Sequence, residues 1–162
     1  MPNRLVVGLL GLRNSGKSYT WNELFGRTVR TGKHRLELRP GESVETYLIA
    51  GSPEERGIDV KSILKNQHRR IVLCSMQYVQ GVERTLEYFA QNHFFLYVQW
   101  LNPARGRYPV KAFDDLGLTN KILSVTSLLS IRNSDGGTAS RVRELREFIY
   151  GWARFRRLLF HS

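Results

Sequence analysis

Leu5-Val6-Val7-Gly8-Leu9-Leu10-Gly11-Leu12-Arg13-Asn14-Ser15-Gly16-Lys17-Ser18-Tyr19-Thr20 is the stretch whose reading decides the fold. Residues 5–10 form an apolar run of strand length, as expected of a strand buried on both faces. The run feeds residues 11–18, where Gly11, Gly16, Lys17 and Ser18 stand at the spacing G-x-x-x-x-G-K-[ST]. From Ser18 to Phe25 the spacing turns helical, with Tyr19, Leu24 and Phe25 as candidate apolar contacts. A strand, a glycine-rich turn and a helix in that order make a cradle for an anion. Gly11 and Gly16 let the backbone turn tightly and approach the anion with no Cβ in the way. Successive N–H groups from about Ser15 to Ser18 point into the concavity, and the helix N-terminus adds partial positive charge. Lys17 is placed to reach the β- and γ-phosphates as a point charge, and the Ser18 hydroxyl to ligate Mg²⁺. The candidate site is therefore Gly11, Arg13, Asn14, Ser15, Gly16, Lys17, Ser18 and Tyr19. Its expected ligands are ATP or GTP with Mg²⁺, the metal at Ser18.

The rest of the chain keeps alternating. A first helix is expected over 17–26, followed by a polar, basic segment over 27–34. Residues 35–38 alternate, Pro40-Gly41-Glu42 turns, and 43–50 is a second β run, so the two should pair antiparallel. A loop over 51–57 leads to a short helix from Asp59, its N-cap, to about Asn66. Strands are expected at 71–74 and 94–101, with an amphipathic helix over 81–92 between them. A basic loop over 102–109, a short helix over 110–116, a mixed apolar stretch over 122–131 and a turn at 133–137 follow. The last helix should run from Thr138 or Ala139 to about Leu159. No repeat, linker or second domain interrupts residues 1–162. The alternation predicts a three-layer α/β/α domain whose sheet is mainly parallel, with one antiparallel hairpin strand. Right-handed crossovers put the first loop at the carboxyl edge, where ligands bind.

Residues 11–18, the hairpin over 35–50 and the later elements together resemble the Ras-like small GTPase layout of the P-loop NTPases. The likeness covers nearly the whole chain as element order and is specific at 11–18, the Walker A motif. It implies a threonine between the first helix and second strand that senses the γ-phosphate, a place Thr28 or Thr31 fills. It also implies Asp-x-x-Gly at the end of the third strand, where this chain has Leu48-Ile49-Ala50-Gly51, with the glycine and without the aspartate. Ser52 stands where a water-orienting glutamine would follow. The guanine-reading Asn-Lys-x-Asp is missing: Leu101-Asn102-Pro103-Ala104 ends the matching strand, and Asn120-Lys121 has Leu123 in the aspartate's place. No strand run ends in the acid that would hold magnesium's water shell. Glu54, Glu55 and Asp59 are the nearest acids, readable as that outer shell or simply as a solvated loop and a helix cap. The implied function is a Mg²⁺-dependent nucleotide-binding protein, a switch with slow or partner-activated hydrolysis.

Two other function classes fit parts of the sequence. A small-molecule or nucleotide kinase would use Arg105 and Arg107 as a lid on the transferring phosphoryl group. A basic adaptor would keep the loop for structure and bind nucleic acid or protein. The charge supports an anionic partner: 25 Lys and Arg against 14 Asp and Glu give +11, of which residues 1–100 carry +5 and the remainder +6. Arg27, Arg30, Lys33 and Arg35 cluster beside the expected nucleotide mouth. Arg141, Arg143, Arg146, Arg154, Arg156 and Arg157 lie between the apolar Val142, Leu145, Ile149, Trp152 and Leu159 of the last helix, which reads as a stripe on the sheet with a basic end. Phe155, Leu158 and Phe160 near that end suit a protein partner or a homodimer. Cys74, the single cysteine, excludes an internal disulfide and reads as a core thiol of a reducing compartment, hence a cytoplasmic protein. No apolar run is long enough for a membrane span. His34, His68, His93 and His161 lack metal-ligand spacing.

Overall fold

The computed structural model describes residues 2–101, 114–132 and 138–162. The elements are β1 (Arg4–Gly11), α1 (Lys17–Phe25), β2 (Gly32–Arg39), β3 (Glu42–Ile49), α2 (Pro53–Arg56), α3 (Val60–Ile63), β4 (Ile71–Gln77) and α4 (Val82–Gln91). Then come β5 (Phe94–Leu101), α5 (Leu118–Leu123), β6 (Ser127–Arg132), α6 (Thr138–Phe155) and β7 (Phe160–His161). The sheet runs β2-β3-β4-β1-β5-β6, parallel from β3 to β6, with β2 antiparallel to β3 as the hairpin reading required.

β1 is the centre of the sheet because both its faces are apolar. Leu5, Val7 and Leu9 pack with Trp21 and Leu24 of α1 and with Leu145 and Ile149 of α6. Val6 and Leu10 face the other way and pack with Leu86 and Phe89 of α4 and with Leu118 and Ile122 of α5. Helices thus cover both faces of a mostly parallel sheet, in three layers. Cys74 lies fully buried in the second of these cores, and burial pushes its thiol pKa well up.

Several elements differ from expectation. The loop expected over 51–57 contains the short helix α2, β4 runs on to Gln77 rather than ending at 74, and β2 begins at Gly32 rather than 35. Asp59 does cap α3, accepting from the Lys61 N–H at 3.3 Å, but that helix ends at Ile63. Only 114–116 of the expected helix over 110–116 are described, and they form a turn; the helix is α5, and β6 takes the apolar stretch after it. The last helix stops at Phe155 rather than near Leu159. Arg157 takes φ 56°, the Leu158 N–H closes back on the Ala153 carbonyl at 2.9 Å, and the chain returns to the sheet as β7 against β3. The turn expected at 133–137 lies outside the described residues. Among the described residues, no helix is long and apolar enough to cross a membrane.

Candidate functional site

β1 ends at Gly11, beside Gln77 of β4 and one residue past the pairing of Leu10 with Trp100 of β5. The loop that leaves it depends on two backbone conditions. At Gly11 a Cβ would stand 2.3 Å from Ser15 Oγ, so the turn closes over a position with no side chain. At Asn14 (φ 62°) and Gly16 (φ 97°) the chain visits the left-handed region, and the reversal starts α1 at Lys17. No side chain caps that helix and its first turn holds no acid, which leaves the field of its N-terminus unopposed from within the helix.

Lys17 is folded into the loop and only 7% exposed. Its Nζ donates to the carbonyl oxygens of Gly11 (3.0 Å) and Leu12 (2.8 Å) and to Ser15 Oγ (3.3 Å). Burial lowers its pKa; the negative fields of Glu55 and Glu54 oppose that and keep the cation favoured. Ser15 is buried in the same turn, while Arg13, Asn14, Ser18 and Tyr19 are exposed on its rim. The structure therefore brings Gly11 and residues 13–19 to one loop.

Thr31 is placed otherwise. It sits at the same sheet edge, but its Oγ1 accepts from the Ala50 N–H at 3.0 Å, which ties it to the end of β3. β4 lies between β3 and β1, so that end is two strand spacings, roughly 10 Å, from the loop's own strand.

Glu54 closes the distance from the β3 side. Ser52 caps α2 by accepting from the Glu55 N–H at 3.2 Å, and the short helix turns Glu54 inward. The Glu54 carboxylate accepts from the Gln77 N–H (2.8 Å) and from the Thr85 hydroxyl (2.5 Å). Burial raises its pKa, against those hydrogen bonds and the pull of Lys17. A cleft of about 480 Å³ opens beside it, with Gln77, Gly81 and Thr85 among its walls. Of the three acids singled out by position, Glu54 is the half-buried one, bonded to Gln77 at the end of β4 beside Gly11, Glu55 is exposed within reach of Lys17, and Asp59 caps α3.

Two supports had no sequence signal. The Tyr78 N–H donates to the Gly11 carbonyl at 2.9 Å, and its ring stacks on Trp100 at 5.1 Å between centroids. Its hydroxyl donates to Asp114 at 2.5 Å, and burial together with that carboxylate pushes its pKa up to about 12. Behind α1, the buried Arg141 of α6 donates to Thr20 Oγ1 at 2.8 Å, and Thr20 donates in turn to the Gly16 carbonyl at 2.7 Å. Asn102, Arg105 and Arg107 lie outside the described residues.

Fold and site together define an α/β protein whose first strand and first helix are joined by a glycine-hinged loop closed over a buried lysine. No protein-family model matches the chain, and no curated protein matches it in sequence.

Proposed function

We propose that the chain is a P-loop NTPase domain that binds ATP or GTP with Mg²⁺ and hydrolyses it slowly or on activation by a partner. The observation that carries this reading is Lys17: a cation held inside a glycine-hinged loop at the carboxyl edge of a parallel sheet. The loop's carbonyls fix the ammonium in place; the Ser15 N–H already donates to the Leu12 carbonyl at 3.1 Å, so the amides of 14 and 16–18 at the start of α1 are the donors for phosphate oxygens. An exposed Ser18 hydroxyl suits magnesium, which keeps several waters and takes few protein oxygens. When bound, that ion neutralises charge on the phosphate oxygens. Glu54 is the carboxylate positioned to hold a water at the site. Its raised pKa moves it toward the range in which a carboxylate accepts a proton at neutral pH.

Slow turnover follows from Ser52. It is 1% exposed and engaged as the cap of α2, so it has no reach toward an attacking water. The β2–β3 hairpin directly after α1 stands where a kinase would carry its acceptor-binding helices, which disfavours the phosphotransferase reading. The buried thiol Cys74 suits a reducing compartment, and the cytoplasm is the setting this reading takes.

Single-turnover phosphate release from ATP and from GTP tests the proposal. Release above the spontaneous rate, dependent on Mg²⁺ and reduced at least tenfold in Glu54→Gln with nucleotide affinity retained, is the expected result. Release at the spontaneous rate from both nucleotides, or full activity in Glu54→Gln, contradicts it.

A further inference from the structure

Away from the phosphate loop, β3 changes partners along one edge. Tyr47, Leu48 and Ile49 pair with β4, whereas Glu42 and Ser43 pair with β7. Among the described residues, 44–46 have no strand partner on that edge. The gap is a notch in the sheet. It opens as a cavity of about 520 Å³ between Val44 and Glu45 of β3, Ile71 at the start of β4, and Phe160 of β7. Ile71 pairs with Leu5, six residues before Gly11, so the notch lies about 20 Å from the phosphate loop. Its size is that of a small-molecule site.

The walls divide by chemistry. Lys33, His68, Arg69, Arg70 and Arg157 supply the basic part of the lining. The acid in the lining, Glu45, is already ion-paired with Arg69 and lies 3.7 Å from Arg35. The Arg70 guanidinium donates to the Asn3 carbonyl at 3.0 Å, a neutral partner. It also stands close enough to Arg156 for their repulsion to add to burial in lowering the Arg156 pKa. The cations of this notch therefore outnumber their counter-charges. The accessible apolar lining is the half-buried Leu158 and Leu159 together with Phe160, which is 46% exposed with Arg35 over its ring at 4.6 Å.

We propose that this notch is a second ligand site, for a soluble organic anion with an apolar body. The head, a carboxylate, sulfonate or phosphate, is held by Lys33, Arg70 and Arg157, and the body lies on Leu158, Leu159 and Phe160. An inorganic anion leaves the apolar wall wet, and a neutral amphiphile leaves the cations uncompensated, so neither half alone suffices. The site is independent of nucleotide binding at the loop.

Fluorescence titration of the full chain with anilinonaphthalene sulfonate tests it. The expected result is one saturable site per chain. Decyl sulfate, below its micellar concentration, displaces the dye at least tenfold more effectively than decanol or inorganic sulfate. Lys33→Gln/Arg157→Gln, at exposed positions, weakens the dye at least tenfold, and Lys17→Gln does not. The competition arm uses the unaltered protein and so stands even if the double variant folds poorly. Equal displacement by decanol, or loss of binding in Lys17→Gln instead of the double variant, overturns the proposal. Displacement by an oligothymidylate at lower concentrations than decyl sulfate also overturns it, and assigns the face to nucleic acid; displacement by phosphatidylglycerol vesicles alone overturns it in favour of a membrane surface.

Discussion

Glu54 shows how a half-buried carboxyl at the candidate site is set by neighbours far away in sequence. Its two donors, Gln77 and Thr85, lie 23 and 31 residues further on. Burial raises its pKa, so the folded chain binds this proton more tightly than the unfolded chain. Its contribution to stability is complete below the ordinary carboxylate range and is lost as pH rises through the raised value. Glu54→Gln removes that titration and keeps an oxygen for the Gln77 N–H. As pH rises from the ordinary carboxylate range, about pH 4, through the raised value, the variant should gain stability relative to the parent, measured as the difference in thermal midpoints across pH. A constant difference would refute the burial argument. The residues of 11–18 were legible in the sequence because backbone hinge, cation and hydroxyl each need one residue type. Glu54 was legible only as one of three acids, since nothing local distinguishes a carboxylate that meets Gln77 and Thr85 from one that meets water. Thr28 or Thr31 was read for the loop between the first helix and the second strand; the tie of Thr31 to Ala50 is a long-range contact that spacing does not encode.

Among the elements, α1 is held from both sides. Trp21 donates to Ser75 Oγ of β4 at 2.8 Å, and Arg141 of α6 reaches Thr20 from behind. Arg141 is 2% exposed, and burial lowers its pKa. Arg141→Ala removes the donor to Thr20 and leaves a cavity between α1 and α6. The expected cost is about 2–4 kcal/mol in chemical denaturation, with a midpoint equal to the parent's as the contradicting result. Elements with a strong period were readable: β1, β5, α4 and the antiparallel hairpin lie within a residue or two of their expected bounds, except that β2 begins at Gly32 rather than 35. β7 was not, because two residues carry no period and the reversal before it falls on Arg157, a residue with no turn preference. The described stretch over 114–123 was misread for a related reason. Asp114 accepts from the Thr119 N–H at 2.6 Å and from Tyr78, and these contacts set where α5 begins.

At the scale of the molecule, chain order does not fix strand order. The alternation of strands and helices foretold a mainly parallel sheet covered on both faces, but the position of β4 between β3 and β1 follows from pairing registers alone. That placement is why a carboxylate reaches the loop from α2 and across β4, and not from the last residue of β3. The charge of +11 is likewise spread over both halves of the chain, so it raises the local concentration of anions at more than one face. The basic notch and the glycine-hinged loop over 11–18 lie about 20 Å apart. The most direct measurement on the proposed nucleotide site is titration of nucleotide-stripped protein with fluorescent ATP and GTP analogues, with and without Mg²⁺, beside Lys17→Ala. Saturable, magnesium-dependent binding that Lys17→Ala abolishes is the expected result, and the ratio of the two affinities assigns the base. Absence of binding to either analogue by a folded parent, or equal binding by folded Lys17→Ala, would contradict nucleotide binding at this loop.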